Sequence, residues 1–191
     1  MMAPFDPLLY PSKLWSSPEV LAKPCPVPIA AGIYAWYFRA IPPDVPTDDC
    51  HRHDGLTLLY AGIAPSRATS KNTLRKRIKG HCVNDASRST LRRSLGCLLE
   101  NELGIQLRFN PSGRVTFGKE GEERLSEWMA DNAFVVWMEH DEPWLMEPKL
   151  IQSVSLPLNI EHNGQHPSAL RLSALRTDAR ERAKSMPVVD G

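Results

Sequence analysis

Hydrophobic and polar positions follow two rhythms along this chain, and the rhythm sorts the chain into elements. Residues 32–39, GIYAWYFR, are an apolar and aromatic run bounded by Gly32, which predicts a strand. TLLYAGIA at 57–64 predicts a second, and FVVWME at 134–139 a third core strand. Pro42, Pro43, Pro46 and Gly55 mark a loop from about 40 to 56 between the first two, so these are expected to pair antiparallel.

The helical rhythm appears next. SKNTLRKRIKGHCV places Leu74, Ile78 and Cys82 on one stripe behind a Ser or Asn cap, and SRSTLRRSLGCLLENELG repeats the pattern with Leu91, Leu95, Leu98 and Leu99. Both helices are apolar on one face and basic on the other. QLRFN and RVTFG around NPSG predict a hairpin over 105–118, and EERLSEWMADN a helix. PWLMEPKLIQSVSLPLN is helical through Leu150, Ile151 and Val154, with Pro157 ending it. SALRLSALRTDARERAKS is a last amphipathic helix carrying Arg171, Arg176, Arg180, Arg182 and Lys184. Residues 1–28 are proline-rich, with one helical turn at SPEVLAK, capped by Ser17 with Pro18 at the first position, before an extended lead-in.

A length of 191 residues suits one compact unit. The expected division is a proline-rich lead-in over 1–29, a central domain over 30–160, and a loop and basic helix over 161–191 packed on the same domain. No apolar run approaches the roughly 18 residues that cross a bilayer. The amino terminus lacks the basic and apolar regions of a signal peptide, which predicts a cytoplasmic protein. Cys25, Cys50, Cys82 and Cys97 are widely spaced without a CxxC pair, which disfavours a zinc cluster or redox dithiol.

A net charge of +1 conceals a strong asymmetry. Residues 67–93 hold nine Lys or Arg (Arg67, Lys71, Arg75, Lys76, Arg77, Lys79, Arg88, Arg92, Arg93) against one acid, Asp85. Residues 119–147 hold nine acids against Lys119 and Arg124. A basic block of this density is the footprint of a polyanion partner, and it nominates Lys71, Arg75, Lys76, Lys79, Arg88, Arg92 and Arg93 as a nucleic-acid-binding surface. A solvated helix face gives the same pattern.

Within the block, LRKRIKGH puts Arg77 and His81 four residues apart beside the Leu74/Ile78 stripe, where a helix meets the sheet. Together with GIY at 32–34, YAG at 60–62, Glu147 and Asn159 twelve residues beyond it, this order of residues resembles the GIY-YIG endonuclease superfamily. The resemblance runs from residue 30 to about 160, with YAG in place of YIG. It implies an α+β fold: a small, mostly antiparallel sheet of about three core strands flanked by helices, here with an added hairpin and a C-terminal helix. It also implies a metal-dependent endonuclease acting on DNA, with RNA as the alternative substrate, and leaving a 5′-phosphate and a 3′-hydroxyl. A non-catalytic nucleic-acid-binding module on the same fold is the competing reading.

The implied residue types suit phosphodiester chemistry. One carboxylate, Glu147, can anchor Mg²⁺ (or Mn²⁺) that keeps several waters. Arg77 can hold two phosphate oxygens at once. By the resemblance Tyr34 is the first choice for general base and Tyr60 tunes it, or the two exchange roles; His81 relays a proton or contacts phosphate, and Asn159 holds the architecture through its amide. Pro148 directly follows Glu147, so a helix is expected to start or kink there, or Glu147 to be displaced.

Other features carry less. Asp48–Asp54, DDCHRHD, offers carboxylates and two imidazoles without zinc spacing and reads as a surface loop. Gly164 between His162 and His166 argues against a helical pair of ligands. Trp36, Trp128, Trp137 and Trp144 sit in amphipathic elements and are expected in the core rather than stacked on bases.

Overall fold

The structure is a computed structural model that describes residues 4–83 and 85–190. Among the described residues the strands are β1 (Trp15–Ser16), β2 (Gly32–Phe38), β3 (Arg52–His53), β4 (Leu56–Ala64), β5 (Arg108–Phe109), β6 (Val115–Thr116) and β7 (Ala133–Glu139). The helices are α1 (Asp6–Leu9), α2 (Ser17–Leu21), α3 (Leu74–Val83), α4 (Thr90–Leu98), α5 (Glu100–Leu103), α6 (Gly118–Asn132), α7 (Pro143–Ser153) and α8 (Pro167–Lys184).

Five strands make one antiparallel sheet in the order β1-β7-β2-β4-β3, and β5 and β6 form the separate hairpin. The fold is α+β as expected, but the sheet has five strands rather than about three. The two additions are edge strands of two residues each, too short to show a period in sequence.

All seven residues of β2 are buried because both its faces are covered. Alternation sends Tyr34, Trp36 and Phe38 into a core shared with α3, α4, α6 and α8, and Ile33, Ala35 and Tyr37 into a second core under α1 and α7. Register between β2 and β4 runs Tyr34↔Gly62 and Trp36↔Tyr60, then shifts so that Tyr37 faces Leu58. Leu59 is the extra residue of a bulge, a device that re-aims neighbouring side chains. Its carbonyl accepts the Leu158 N–H at 3.0 Å, which docks the Asn159 segment on this strand.

Local differences from expectation have local causes. α2 is capped one residue early, by Ser16, whose N–H and hydroxyl both donate to Glu19 at 2.8 and 2.9 Å. The second basic helix is two pieces, α4 and α5, which meet at Leu99. α7 ends at Ser153 with Val154 extended, and it includes Pro148 in its interior rather than starting or stopping there.

Candidate active site

The start of α3 is tied to the approach to β2. Leu74 N–H donates to Ala30 O at 2.9 Å and Arg75 N–H to Pro28 O at 3.2 Å, which satisfies first-turn donors that have no partner within a helix. That junction fixes where Arg77 and His81, one and two turns on, meet the sheet.

Tyr34 is 1% exposed, His81 1% and Tyr60 8%. Tyr34 Oη lies 2.8 Å from His81 Nε2, and His81 Nδ1 lies 2.7 Å from Ser89 Oγ. The rings of Tyr34, Trp36 and Tyr60 enclose the imidazole at centroid distances of 5.4, 6.1 and 6.0 Å. Ser89 is the N-cap of α4, and its oxygen accepts the Arg92 N–H at 3.1 Å. A buried hydroxyl must also place its hydrogen, and Nδ1 is the acceptor at hand. Ser89 therefore donates to Nδ1, His81 carries its hydrogen on Nε2, and Tyr34 accepts it, an assignment inferred from partners. Tyr60 Oη lies 3.4 Å from Thr90 Oγ1 on the next residue of the same cap.

Electrostatics follow from the enclosure. Burial pushes the Tyr34 phenol well above its ordinary value; Tyr60 and Glu147 add to the rise, and Arg77 opposes it by charge and hydrogen bonding. Tyr34 and Tyr60 in turn keep Arg77 firmly protonated against its own partial burial. Burial, with the charges of Arg77 and Arg92, holds His81 far below its usual range, so the imidazole is neutral. Burial raises the Glu147 carboxyl as Glu161 does, while His162 and Arg77 pull it down. Arg77 of α3 is thus the common neighbour, acting on Tyr34 of β2, Tyr60 of β4, His81 and Glu147 of α7. Among the described residues Arg77 and Glu147 form no direct ion pair, and His81, closed to solvent with both nitrogens engaged, does not face a phosphate.

Asn159 brackets the middle of YAG. Its Oδ1 accepts Ala61 N–H at 2.9 Å and its Nδ2 donates to Ala61 O at 2.8 Å. Asn163 secures the same turn, donating to Leu156 O and Asn159 O at 2.9 and 3.0 Å.

A sequence profile for the GIY-YIG catalytic domain matches residues 32–178. The chain belongs to the GIY-YIG catalytic domain family. No curated protein and no solved structure matches it. The GIY-YIG match reaches past Asn159 into α8. Membership makes this a nuclease-type domain, whose substrate class is nucleic acid.

The GIY-YIG glycines have a steric reason. A Cβ on Gly62 would overlap the Tyr34 hydroxyl, and one on Gly32 would overlap the Met138 carbonyl and lie 2.7 Å from Leu74 Cδ1. The two motifs need glycine because a ring crosses one strand and a strand crosses the other.

The basic block divides. Lys71, Lys76 and Arg88 are exposed, and Lys79 is half-buried. Arg75 is tied to Val27 O at 2.6 Å, and Arg93 to Ala86 O and Ser87 O at 3.0 and 3.3 Å. Arg92 departs from the expected surface: it is fully buried, ion-paired with Glu122 at 2.8 Å, and donates to Cys82 O and Ser126 Oγ. The helix face read as uniformly basic thus supplies a core ion pair.

Ser89 and Thr90 were missed in sequence; the signal was the Ser cap before Leu91. The DDCHRHD histidines clamp the N-terminal segment, His51 to Leu9 O at 2.7 Å and His53 to Pro11 O at 2.9 Å. His166 caps α8 by accepting Ser168 N–H. Trp36 and Trp128 are core, and Trp137 and Trp144 pack half-buried against it. Among the described residues no group of three or more His, Cys, Asp or Glu forms a ready metal cage, and no helix is long and apolar enough to cross a membrane.

Proposed function

We propose that this protein is a divalent-metal-dependent endonuclease that hydrolyses DNA to 5′-phosphate and 3′-hydroxyl ends. The observation that carries the reading is the placement of Arg77, which interacts with both phenols, Tyr34 and Tyr60, and with the Glu147 carboxylate.

A half-buried carboxylate with Glu161 acting on it fits Mg²⁺ or Mn²⁺, because such an ion takes few protein ligands beside water and substrate phosphate. Glu147 would hold it, and the ion would supply Lewis-acid stabilisation of the departing oxygen. Arg77 orients the scissile phosphate with its planar fork. Tyr34 takes the proton of the attacking water; His81 Nε2–H and Arg77 both donate toward its oxygen and so favour the phenolate against burial. The water oxygen bonds to phosphorus as the P–O3′ bond breaks, and the 3′-oxygen leaves as a hydroxyl after gaining a proton. Tyr60 orders the water and Asn159 keeps the YAG strand in place. A cytoplasmic setting suits this substrate and the four free thiols.

One observation favours the alternative, a binding module without cleavage: both phenols are closed to solvent. Incubating the protein and its Glu147→Ala variant with supercoiled, branched and single-stranded DNA, with and without Mg²⁺ or Mn²⁺, separates the two. Metal-dependent cutting lost only in the variant supports the nuclease; salt-sensitive binding with no cutting under any ion supports the module.

A further inference from the structure

α8 treats its cations unequally. Arg171 meets Asp44 at 3.1 Å, Arg182 meets Glu100 at 2.6 Å and Lys184 meets Glu181 at 2.7 Å. Arg176 and Arg180 have no carboxylate within 4.0 Å among the described residues. Both line a cavity of about 260 Å³ together with Arg93 from α4, over a floor of Leu107, Val115 and Ile160. Arg180 lies over the Phe109 ring at 5.6 Å, and Arg176 is half-buried.

Three guanidiniums gathered in a cavity whose lining holds no carboxylate, with Asp85 offsetting part of the charge at Arg93, repel one another, and two of them are partly withdrawn from water. Burial lowers the pKa of Arg93, and Arg176 and Arg180 lower it further by charge; burial lowers Arg176 as well. The groups that offset this at Arg176 are Cys97, a thiol that burial raises to about 11, and Tyr60. The Cys97 thiol is neutral at neutral pH. A solvated basic helix face would spread such charges or pair them, as α8 does elsewhere.

The position is as informative as the charge. Arg176 acts electrostatically on Tyr60, and Ile160 in the floor directly follows Asn159, which brackets Ala61 beside Tyr60. The cavity is therefore bounded by the segment that anchors the YAG strand. A polymer bound at the candidate active site extends phosphates on either side of it, and this segment leads from that site to the cavity.

We propose that Arg176 and Arg180, with Arg93, form a phosphate-binding subsite that holds the nucleic-acid backbone at a phosphate flanking the scissile one. It rests on the nuclease reading only in taking nucleic acid as the substrate. α8 thereby becomes part of the substrate track.

The test uses the full chain and an R176Q/R180Q double variant, leaving Arg93 to brace its loop. Binding of a labelled mixed-sequence DNA duplex is followed against salt in EDTA, and melting is followed with inorganic phosphate against chloride at equal ionic strength. The expected result is a log–log salt slope shallower by about 0.9, the value for one lost phosphate contact, and roughly tenfold weaker binding at low salt. R176K/R180K should recover the slope. An unchanged slope and affinity in a folded variant overturns the subsite, and so does a wild-type protein that does not bind DNA. Loss of phosphate stabilisation without any change in DNA binding assigns the cavity to a small phosphorylated ligand and also overturns it. Wild-type cleavage with an unaltered variant slope defeats this inference alone; a reduced slope with no wild-type cleavage defeats the nuclease reading alone.

Discussion

Tyr34 Oη and His81 Nε2 lie 2.8 Å apart in a space closed to solvent, and the imidazole is neutral there. A neutral donor can stabilise a phenolate without removing a proton itself. Because burial pushes the Tyr34 phenol above its ordinary value of 10.0, only a small fraction is ionised at neutral pH. Cleavage by a deprotonated Tyr34 should then rise with pH through neutrality and show no plateau below about pH 10. Tyr34→Phe should remove the rise and lower the single-turnover rate by roughly 10²–10⁴-fold, with DNA affinity unchanged in EDTA. A rate profile that levels off near pH 7 in the wild type would exclude Tyr34 as the titrating base.

Ser89 joins two functions at one oxygen, capping α4 and fixing the hydrogen of His81. Ser89→Ala should cost about 1–2 kcal/mol in urea unfolding through the lost cap and the unpaired Nδ1. Structural loss alone would leave the pH–rate profile in place. Freed from its partner, His81 can also carry its hydrogen on Nδ1, so the profile of the folded variant should shift toward higher pH. Ser89→Thr should restore both properties.

Legibility followed sequence distance. Tyr34, Tyr60, Arg77 and His81 stood out because two strands and a helix lie close in the chain and each carries its residue at a readable register. Glu147 and Asn159 needed the family resemblance: the segment reads as helical, but nothing in its pattern marks out this glutamate or this asparagine, and Pro148 falls inside the helix. Ser89 stands out only through His81, whose Nδ1 reaches its oxygen from the end of α3. Arg92 belonged to a run of positive charge, and its partner Glu122, thirty residues on, belonged to a run of negative charge. A pattern read block by block cannot reveal a pair made between blocks. The strands β1 and β3 and the four-residue α1 are too short for any period to register.

That pair sets a stability prediction. Glu122 also accepts from Ala86 N, Thr116 Oγ1 and Phe117 N, so it knits α4, α6 and the hairpin together. Arg92→Met leaves this carboxylate half-compensated and should cost about 3–5 kcal/mol in urea unfolding. The salt slope of DNA binding should not move where the variant is folded. A shallower slope would return Arg92 to the nucleic-acid surface.

His81 also shapes acid stability. Its folded pKa lies below the unfolded value of 6.5, so the native state resists a proton that the unfolded chain takes up. The stabilisation is complete above pH 6.5 and is lost as pH falls toward the folded pKa, at up to about 1.4 kcal/mol per pH unit. Glu147 acts in the opposite sense, because its raised carboxyl binds a proton more readily when folded. The informative quantity is therefore the difference between wild type and His81→Gln in urea midpoint from pH 7.5 to 5. The wild type should lose more, and parallel curves would mean that His81 is protonated in the folded protein.

Gly62 offers the sharpest separation of fold from site. An added Cβ there meets the far end of the Tyr34 side chain, its hydroxyl and, at 2.7 Å, its Cζ, whereas at Gly32 it meets the backbone of β7. A side-chain end can swing away and a strand cannot. Gly62→Ala should fold with a cost of roughly 1–3 kcal/mol for overpacking, while displacing Tyr34 from His81 and abolishing cleavage. DNA binding in EDTA should persist. Since the clash lies with one ring, the cost should largely vanish when Gly62→Ala is made in a Tyr34→Ala background, a non-additivity that a double-mutant cycle in urea unfolding measures. Additive costs would place the strain in the strand backbone and leave the glycine of YAG without a role in aiming the phenol.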